Sequence, residues 1–155
     1  MSQKLPIVII DDDADDRDLL GELSRELRGD LEIRYFVNGV EALKYLETTD
    51  EQPFIILCDV NMPMMNGLEL LEQIQKTPFL KQKSIPFIFL STSGDSRYVI
   101  RAYELSAQGF FQKPSEIKEL RTILKLSFVG MFDLIFDSSL SMRESNSIIG
   151  ELIGF

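Results

Sequence analysis

The sequence predicts an α/β fold built on one parallel sheet with helices on both faces. Short apolar runs alternate with stretches in which apolar residues recur every three or four positions, and this alternation occurs five times along the chain. Three of the apolar runs are nearly unbroken, which is typical of strands buried on both faces of a parallel sheet. The length of 155 residues fits one main domain with a single core.

Each predicted strand is a short apolar run, and each predicted helix is the apolar stripe that follows it. In the first helix the stripe closes near Gly29, a residue type that often ends helices. Its members are Leu19, Leu20, Leu23 and Leu27. The predicted strands cover residues 6–10, 31–36, 54–58, 86–90 and 109–112, and the later helices cover residues 40–46, 68–74, 96–105 and 116 to about 126.

The pattern divides the chain into a domain over residues 1–126 and a helical C-terminal extension over residues 127–155. Apolar residues up to Phe136 can continue the last helix, and Ser141 and Glu144 have the spacing of a capping box for a short terminal helix. The apolar segment is well short of the ~20 residues that cross a bilayer, so no membrane anchor is expected. Core packing, docking and dimerisation all remain open as roles of the extension.

Composition excludes several classes of function. The net charge of −9 comes from 25 acidic and 16 basic residues, which disfavours direct binding to DNA. The chain contains no histidine, so Ser-His-Asp catalysis, histidine-bound zinc and a phosphohistidine on this chain are excluded. A single cysteine, Cys58, and the lack of a signal-peptide pattern favour a cytoplasmic protein.

Polar side chains follow four of the predicted strands. Asp11 and Asp12 follow the first strand and Asp59 the third, while Ser91 follows the fourth and Lys113 the fifth. Ligands of open parallel sheets bind at the carboxyl ends of the strands, so we expect these side chains to share one pocket. Three crowded carboxylates call for a cation, and Mg²⁺ is favoured because it prefers oxygen ligands and commonly bridges carboxylates to phosphate.

The same residues suit a phosphoryl group carried by Asp59. Lys113 has a flexible cationic side chain that can reach a phosphoryl oxygen, and Ser91 offers a hydroxyl. Other acidic residues beside the first strand are interpreted as a helix N-terminus, where carboxylates cap free N–H groups and complement the helix dipole. They are Asp13, Asp15 and Asp16.

The sequence resembles the response-regulator receiver family over about residues 5–126. The matching segments are VIIDDD at 8–13, DVNMP at 59–63 leading to Gly67, FLST at 89–92 and KP at 113–114. The resemblance implies a flavodoxin-like (βα)5 fold with strand order 2-1-3-4-5. It also implies a cis peptide bond in the last of these segments, between Lys113 and Pro114.

The resemblance also assigns roles to residues. Asp59 is implied to be the phosphoacceptor and a metal ligand, with Asp12 as a direct Mg²⁺ ligand and Asp11 acting mainly through water. The backbone carbonyl of Asn61 is implied to be a further ligand. Lys113 takes the place of the phosphate-binding lysine.

Two more positions correspond to the family's conformational switch. Ser91 takes the place of the switch Ser/Thr. Phe110 stands where many members have a switch Tyr, so an aromatic rotamer change is expected without a hydroxyl that could bond outward. Phosphorylation is expected to bias the face formed by the helix at 96–105, the strand at 109–112 and the helix from 116.

The leading hypothesis is a phosphoacceptor response regulator in a two-component phosphorelay. A sensor histidine kinase or a phosphotransfer protein would supply the phosphohistidine, and a downstream protein would receive the signal. The chain would then be a switch that catalyses only its own phosphorylation and dephosphorylation. The alternative is an adaptor that works without phosphorylation through residues 127–155, with a homodimer as one outcome. A Mg²⁺ phosphatase is disfavoured, because Asn61 stands where such enzymes carry a second Asp.

Overall fold

The computed structural model describes the backbone of residues 5–136 and the side chains of residues 5–130. The chain divides into two compact units, residues 1–113 and residues 114–155. The short terminal helix predicted after Ser141 lies outside the described residues.

Five parallel strands in the order β2-β1-β3-β4-β5 form the sheet of the first unit, and this confirms the predicted flavodoxin-like order. The order reverses between β1 and β3, and open parallel sheets bind their ligands at the carboxyl ends of the strands on either side of such a reversal. The strands are β1 (Ile7–Ile10), β2 (Ile33–Phe36), β3 (Ile55–Cys58), β4 (Phe87–Ser91) and β5 (Gly109–Gln112).

Helices connect the strands, and they agree with the predicted helices to within a few residues. They are α1 (Ala14–Leu27), α2 (Gly39–Thr48), α3 (Gly67–Lys76), α4 (Pro78–Lys83) and α5 (Ser96–Glu104). The sequence did not predict α4, which has only six residues and starts with Pro78 directly after the end of α3. A segment this short carries too few apolar residues to show a helical period.

The second unit contains one long helix, α6 (Ile117–Phe136). The prediction that the apolar segment up to Phe136 continues the last helix is confirmed. Within residues 5–136, no helix combines the length and the apolar character that crossing a membrane requires.

Side-chain caps fix where the helices begin after the strands. The Asp13 carboxylate accepts a hydrogen bond from the Asp16 backbone N–H at 3.0 Å, and this starts α1 three residues after β1. The Asn66 side chain accepts from the Glu69 N–H at 2.8 Å and starts α3. Each such cap contributes about 1 kcal/mol. The loops that carry the site residues are therefore short and anchored at their helical ends.

The three central strands form the core, and every residue of β1, β3 and β4 is buried. One face of the sheet packs Ile10, Ile56 and Phe89 against apolar side chains of the connecting helices. Gly67 allows α3 to approach the end of β3, because a Cβ at this position would collide with the Asp59 carbonyl oxygen. The backbone around Asp59 is held by this close packing.

The expected cis bond between Lys113 and Pro114 is wrong, because no peptide bond within residues 5–136 is cis. Before proline the trans form is favoured by ~0.5–1 kcal/mol, so a cis bond needs support from its surroundings. In the trans form the Lys113 backbone N–H already donates to the Ser91 carbonyl oxygen at 2.7 Å. Strand pairing thus extends to Lys113 without a cis turn.

Candidate functional site: an acidic pocket at the carboxyl ends of the strands

Two of the predicted carboxylates directly follow neighbouring strands. Ile10 and Cys58, the last residues of β1 and β3, lie opposite each other in the sheet. The Asp59 backbone N–H donates to the Ile10 carbonyl oxygen at 2.9 Å, which holds Asp59 beside the end of β1. Asp11 is 1% exposed and Asp59 is 8% exposed. The topology therefore buries two acidic groups side by side.

Asp11, Asp12 and Asp59 form one cluster, which we call the acidic pocket. Each contributes a carboxylate oxygen that lies within 4.8 Å of the oxygens of the other two. Among the described residues, Asp59 Oδ1 has no hydrogen-bond partner although it is buried. A buried carboxylate oxygen without a partner is costly, so the pocket calls for a donor or a cation at this position.

The donor set and its size fit a hard divalent cation. Octahedral Mg²⁺ has ligands at ~2.1 Å, so two ligand oxygens of one ion are about 3.0 Å apart when adjacent and about 4.2 Å apart when opposite. The carboxylate oxygens of the acidic pocket lie within 4.8 Å of one another. Three such oxygens can surround one ion after side-chain movements of an ångström or so, or with a water between one carboxylate and the ion. Asn61 lies in the exposed loop that follows Asp59, and its role as a carbonyl ligand stays a prediction.

Lys113 reaches into the acidic pocket from the end of β5. Its Nζ donates to Asp11 Oδ2 at 2.6 Å and to Asp16 Oδ2 at 2.8 Å, and it lies 3.6 Å from Asp59 Oδ2. The Lys113 side chain is 13% exposed. The structure thus brings together all four charged side chains that the sequence assigned to the site.

Ser91 lies at the carboxyl end of β4, and Phe110 lies in the neighbouring strand β5. Ser91 is the buried last residue of β4, and its Oγ accepts a hydrogen bond from the Ser93 backbone N–H at 3.2 Å. The half-buried ring of Phe110 packs against Phe89 with ring centroids 5.7 Å apart.

Burial dominates the electrostatics of the acidic pocket. It raises the pKa values of Asp11 and Asp59, and the nearby Lys113 ammonium only partly opposes this effect. Burial by itself lowers the pKa of Lys113, but hydrogen bonds to Asp11 and Asp16 outweigh it and the pKa is raised. The lysine therefore stays charged. Any further positive charge in the pocket would stabilise the ionised form of the two carboxylates. Burial also raises the pKa of the Cys58 thiol, which makes it an inert neighbour.

Comparison with known proteins decides the family. A family model described as the response regulator receiver domain matches residues 7–125. The chain belongs to the response regulator receiver domain family. The flavodoxin-like fold and the two-component signalling class follow from this membership.

Relatives of this receiver domain include signalling proteins of similar length. The chain is 28% identical to the "Probable chemotaxis protein CheY" of Rhizobium etli over 128 residues, which cover 83% of this chain and 95% of the relative. It is 31% identical to the response regulator Rcp1 of Synechocystis over 119 residues, covering 74% and 80% of the two chains.

Solved structures agree with the fold. The phosphorylated cyanobacterial phytochrome response regulator RcpA matches with a TM-score of 0.73 and 26% identity, covering 90% of this chain and 98% of that chain. The Mn²⁺-bound form of response regulator Rcp1 matches with a TM-score of 0.69 and 27% identity, covering 88% and 97%. The second structure is a neighbour that holds a divalent cation.

Sequence reasoning missed one side chain of the receiver site. Asp16 was interpreted as a helix N-terminal acid, and its backbone N–H does meet the Asp13 cap. Its carboxylate, however, is directed toward Lys113. The sequence carried no signal for this contact, because an acidic residue in the first turn of a helix is already explained by the helix dipole.

Proposed function

We propose that this receiver domain is a phosphoacceptor of a two-component phosphorelay, in which Mg²⁺-dependent phosphorylation of Asp59 switches contacts with a downstream protein. The supporting observation is that two further carboxylates and the Lys113 ammonium converge on the Asp59 carboxylate. Its Oδ1 atom is buried and lacks a hydrogen-bond partner among the described residues.

The metal-binding part of the proposal rests on oxygen donors only. Asp11, Asp12, Asp59 and the Asn61 carbonyl would hold Mg²⁺, which supplies neutralisation of charge on the phosphoryl oxygens when bound. Removal of one of these donors is expected to weaken Mg²⁺ binding. The match to a Mn²⁺-bound response regulator supports the binding of a divalent cation by this fold.

Phosphoryl transfer would use a donor on another protein. An oxygen of Asp59 bonds to phosphorus, the phosphorus–nitrogen bond of a phosphohistidine breaks, and the imidazole leaves with the electron pair. Because this chain has no histidine, the phosphohistidine must belong to a sensor histidine kinase or a phosphotransfer protein. Lys113 lies close enough to Asp59 to stabilise a phosphoryl oxygen after a small movement.

The switch would start at Ser91. Its hydroxyl now accepts a bond from the Ser93 N–H, and an Asp59 phosphoryl group would offer it an oxygen to which it can donate. Movement of Ser91 would vacate space beside β5, into which the Phe110 ring can turn. Output would then be by protein contact at the surface of α5 and β5, and a cytoplasmic location is part of this proposal.

Intact-mass spectrometry tests the proposal directly. Treatment with acetyl phosphate and Mg²⁺ is expected to add one phosphoryl group to the wild type, and none to Asp59→Asn or to wild type in excess chelator. Asp15→Asn is the control, because it makes the same change at an exposed carboxylate in the first turn of α1, outside the acidic pocket, and should leave the mass gain intact. An equal gain in Asp59→Asn would refute Asp59 as the acceptor.

The alternative, a receiver-fold adaptor that acts through residues 127–155, is favoured by the length of α6. This helix continues ten residues beyond the predicted domain end at 126. Light scattering with and without beryllofluoride and Mg²⁺ separates the two functions. A homodimer that forms equally in both conditions favours the adaptor, and a change of assembly with beryllofluoride favours the phosphorylation switch.

A further inference from the structure

The Lys113 ammonium is bound more closely to a carboxylate outside the acidic pocket than to the phosphoacceptor. Its Nζ lies 2.8 Å from Asp16 Oδ2 but 3.6 Å from Asp59 Oδ2. Its shortest contact is with Asp11 at 2.6 Å. An ammonium group has three N–H donors, and two of them are therefore used before any phosphoryl group arrives.

Asp16 differs from Asp11 in its exposure. The Asp16 side chain is 39% exposed, whereas that of Asp11 is 1% exposed. Its backbone is fixed, because its N–H donates to the Asp13 cap in the first turn of α1. Water can replace Lys113 at Asp16 more readily than at Asp11, because the Asp16 carboxylate is already partly exposed to solvent. Asp16 is thus the contact that Lys113 can give up at the smaller cost.

We propose that Asp16 is a positioning residue for Lys113: it holds the ammonium on the α1 side of the acidic pocket before phosphorylation and releases it to the phosphoryl group on Asp59. The inference rests on the proposed phosphoacceptor function. We call the Lys113–Asp16 contact the tether. It stabilises the unphosphorylated state, so its loss shifts the equilibrium toward the phosphorylated state.

The direction of the effect follows from the exchange of partners. Binding of a phosphoryl group breaks the Lys113–Asp16 contact in the wild type, but no such contact is lost in Asp16→Asn. Beryllofluoride, which mimics the phosphoryl group, is expected to bind Asp16→Asn about three- to fivefold more tightly at saturating Mg²⁺. Asp16→Glu keeps a carboxylate within reach and is expected to restore affinity close to that of the wild type.

Fluorine NMR titration of the full chain with beryllofluoride measures these affinities. Asp15→Asn removes one negative charge at the neighbouring residue. Its effect on beryllofluoride affinity measures how much of any change comes from the altered charge alone. The Asp16→Asn substitution is also made in a Lys113→Met background. Asp16→Asn is compared with the wild type, and Asp16→Asn/Lys113→Met is compared with Lys113→Met. The two differences show whether the effect acts through the lysine. Asp16→Ser replaces Asp16→Asn if the amide variant does not fold.

The outcomes separate this inference from the proposed function. Tighter binding in Asp16→Asn that exceeds the Asp15→Asn effect and vanishes in the Lys113→Met background supports the tether. An effect equal to that of Asp15→Asn, or one that persists without Lys113, overturns the tether while leaving the phosphoacceptor proposal intact. Failure of the wild type to bind beryllofluoride with Mg²⁺ would instead overturn the proposed function on which the tether rests.

Discussion

At the amino end of the sheet the charged groups pair with one another, whereas at the carboxyl end carboxylates crowd together. Near the start of β2, Arg34 donates to Glu51 at 2.6 Å and to Glu32, and the Tyr45 hydroxyl donates to Glu51 at 2.9 Å. In the acidic pocket, three carboxylates crowd together, and Lys113 contacts two of them, Asp11 and Asp59. Asp59 Oδ1 lacks a partner among the described residues.

The difference shows how to distinguish an ionic cluster that supports the fold from one that supports chemistry. The Arg34 cluster is satisfied by its own members, and hydrogen bonds to Arg34 lower the pKa of Glu51. The acidic pocket keeps an excess of buried negative charge, and burial raises the pKa of Asp59. Such an excess persists in a protein when a ligand that is absent from the bare chain compensates for it.

The largest expected effect that tests this comparison is on Mg²⁺ affinity. Asp12→Asn is expected to weaken Mg²⁺ binding by about tenfold or more, because it removes a charged ligand. Glu32→Gln removes a carboxylate from the Arg34 cluster and should leave the affinity unchanged. Isothermal titration calorimetry measures both, and equal affinities for Asp12→Asn and wild type would contradict a cation in the acidic pocket.

A smaller effect is expected on the stability of the amino-end cluster. Glu51→Gln is expected to lower the free energy of unfolding at pH 7 by about 1–2 kcal/mol, because it weakens charge-assisted hydrogen bonds to Arg34. Urea unfolding measures this loss. An unchanged free energy of unfolding would show that the cluster is only a surface ion pair.

The pH dependence of the same variant sharpens the test. The folded-state pKa of Glu51 is lowered below its ordinary value of 4.5, so its contribution is present above that pH and is lost as pH falls through the lower folded value. The gap between wild type and Glu51→Gln should therefore shrink below pH 4.5. A gap of constant size down to that range would contradict the Arg34 pairing.

The smallest expected effect is a gain in stability, in contrast to the loss expected for Glu51→Gln. Without Mg²⁺, Asp12→Asn is expected to raise the free energy of unfolding by about 0.5–1 kcal/mol, because it relieves repulsion among crowded carboxylates. Saturating Mg²⁺ should reverse the order of the two proteins in the same urea experiment. A loss of stability in the variant without Mg²⁺ would mean that the acidic pocket is not under repulsion.

The hydrophobic pattern was enough to predict the strands, because β1, β3 and β4 are short apolar runs whose residues are all buried. It failed for α4, whose six residues are too few to show a period. The cis bond expected between Lys113 and Pro114 came only from the family resemblance, and that expectation was wrong. Position at a strand end was enough to predict Asp11, Asp59 and Lys113 as neighbours. It could not predict the Lys113 contact of Asp16, because an acidic residue in the first turn of a helix looks the same in sequence whether or not it also binds a lysine from another part of the chain.

The most direct measurement of the central claim is the site of phosphorylation itself. Borohydride reduces an aspartyl phosphate to homoserine, which peptide mass spectrometry locates after treatment of the full chain with acetyl phosphate and Mg²⁺. The account predicts homoserine at Asp59 and none when the metal is chelated. Homoserine at Asp11 or Asp12, or none in the presence of Mg²⁺, would contradict it.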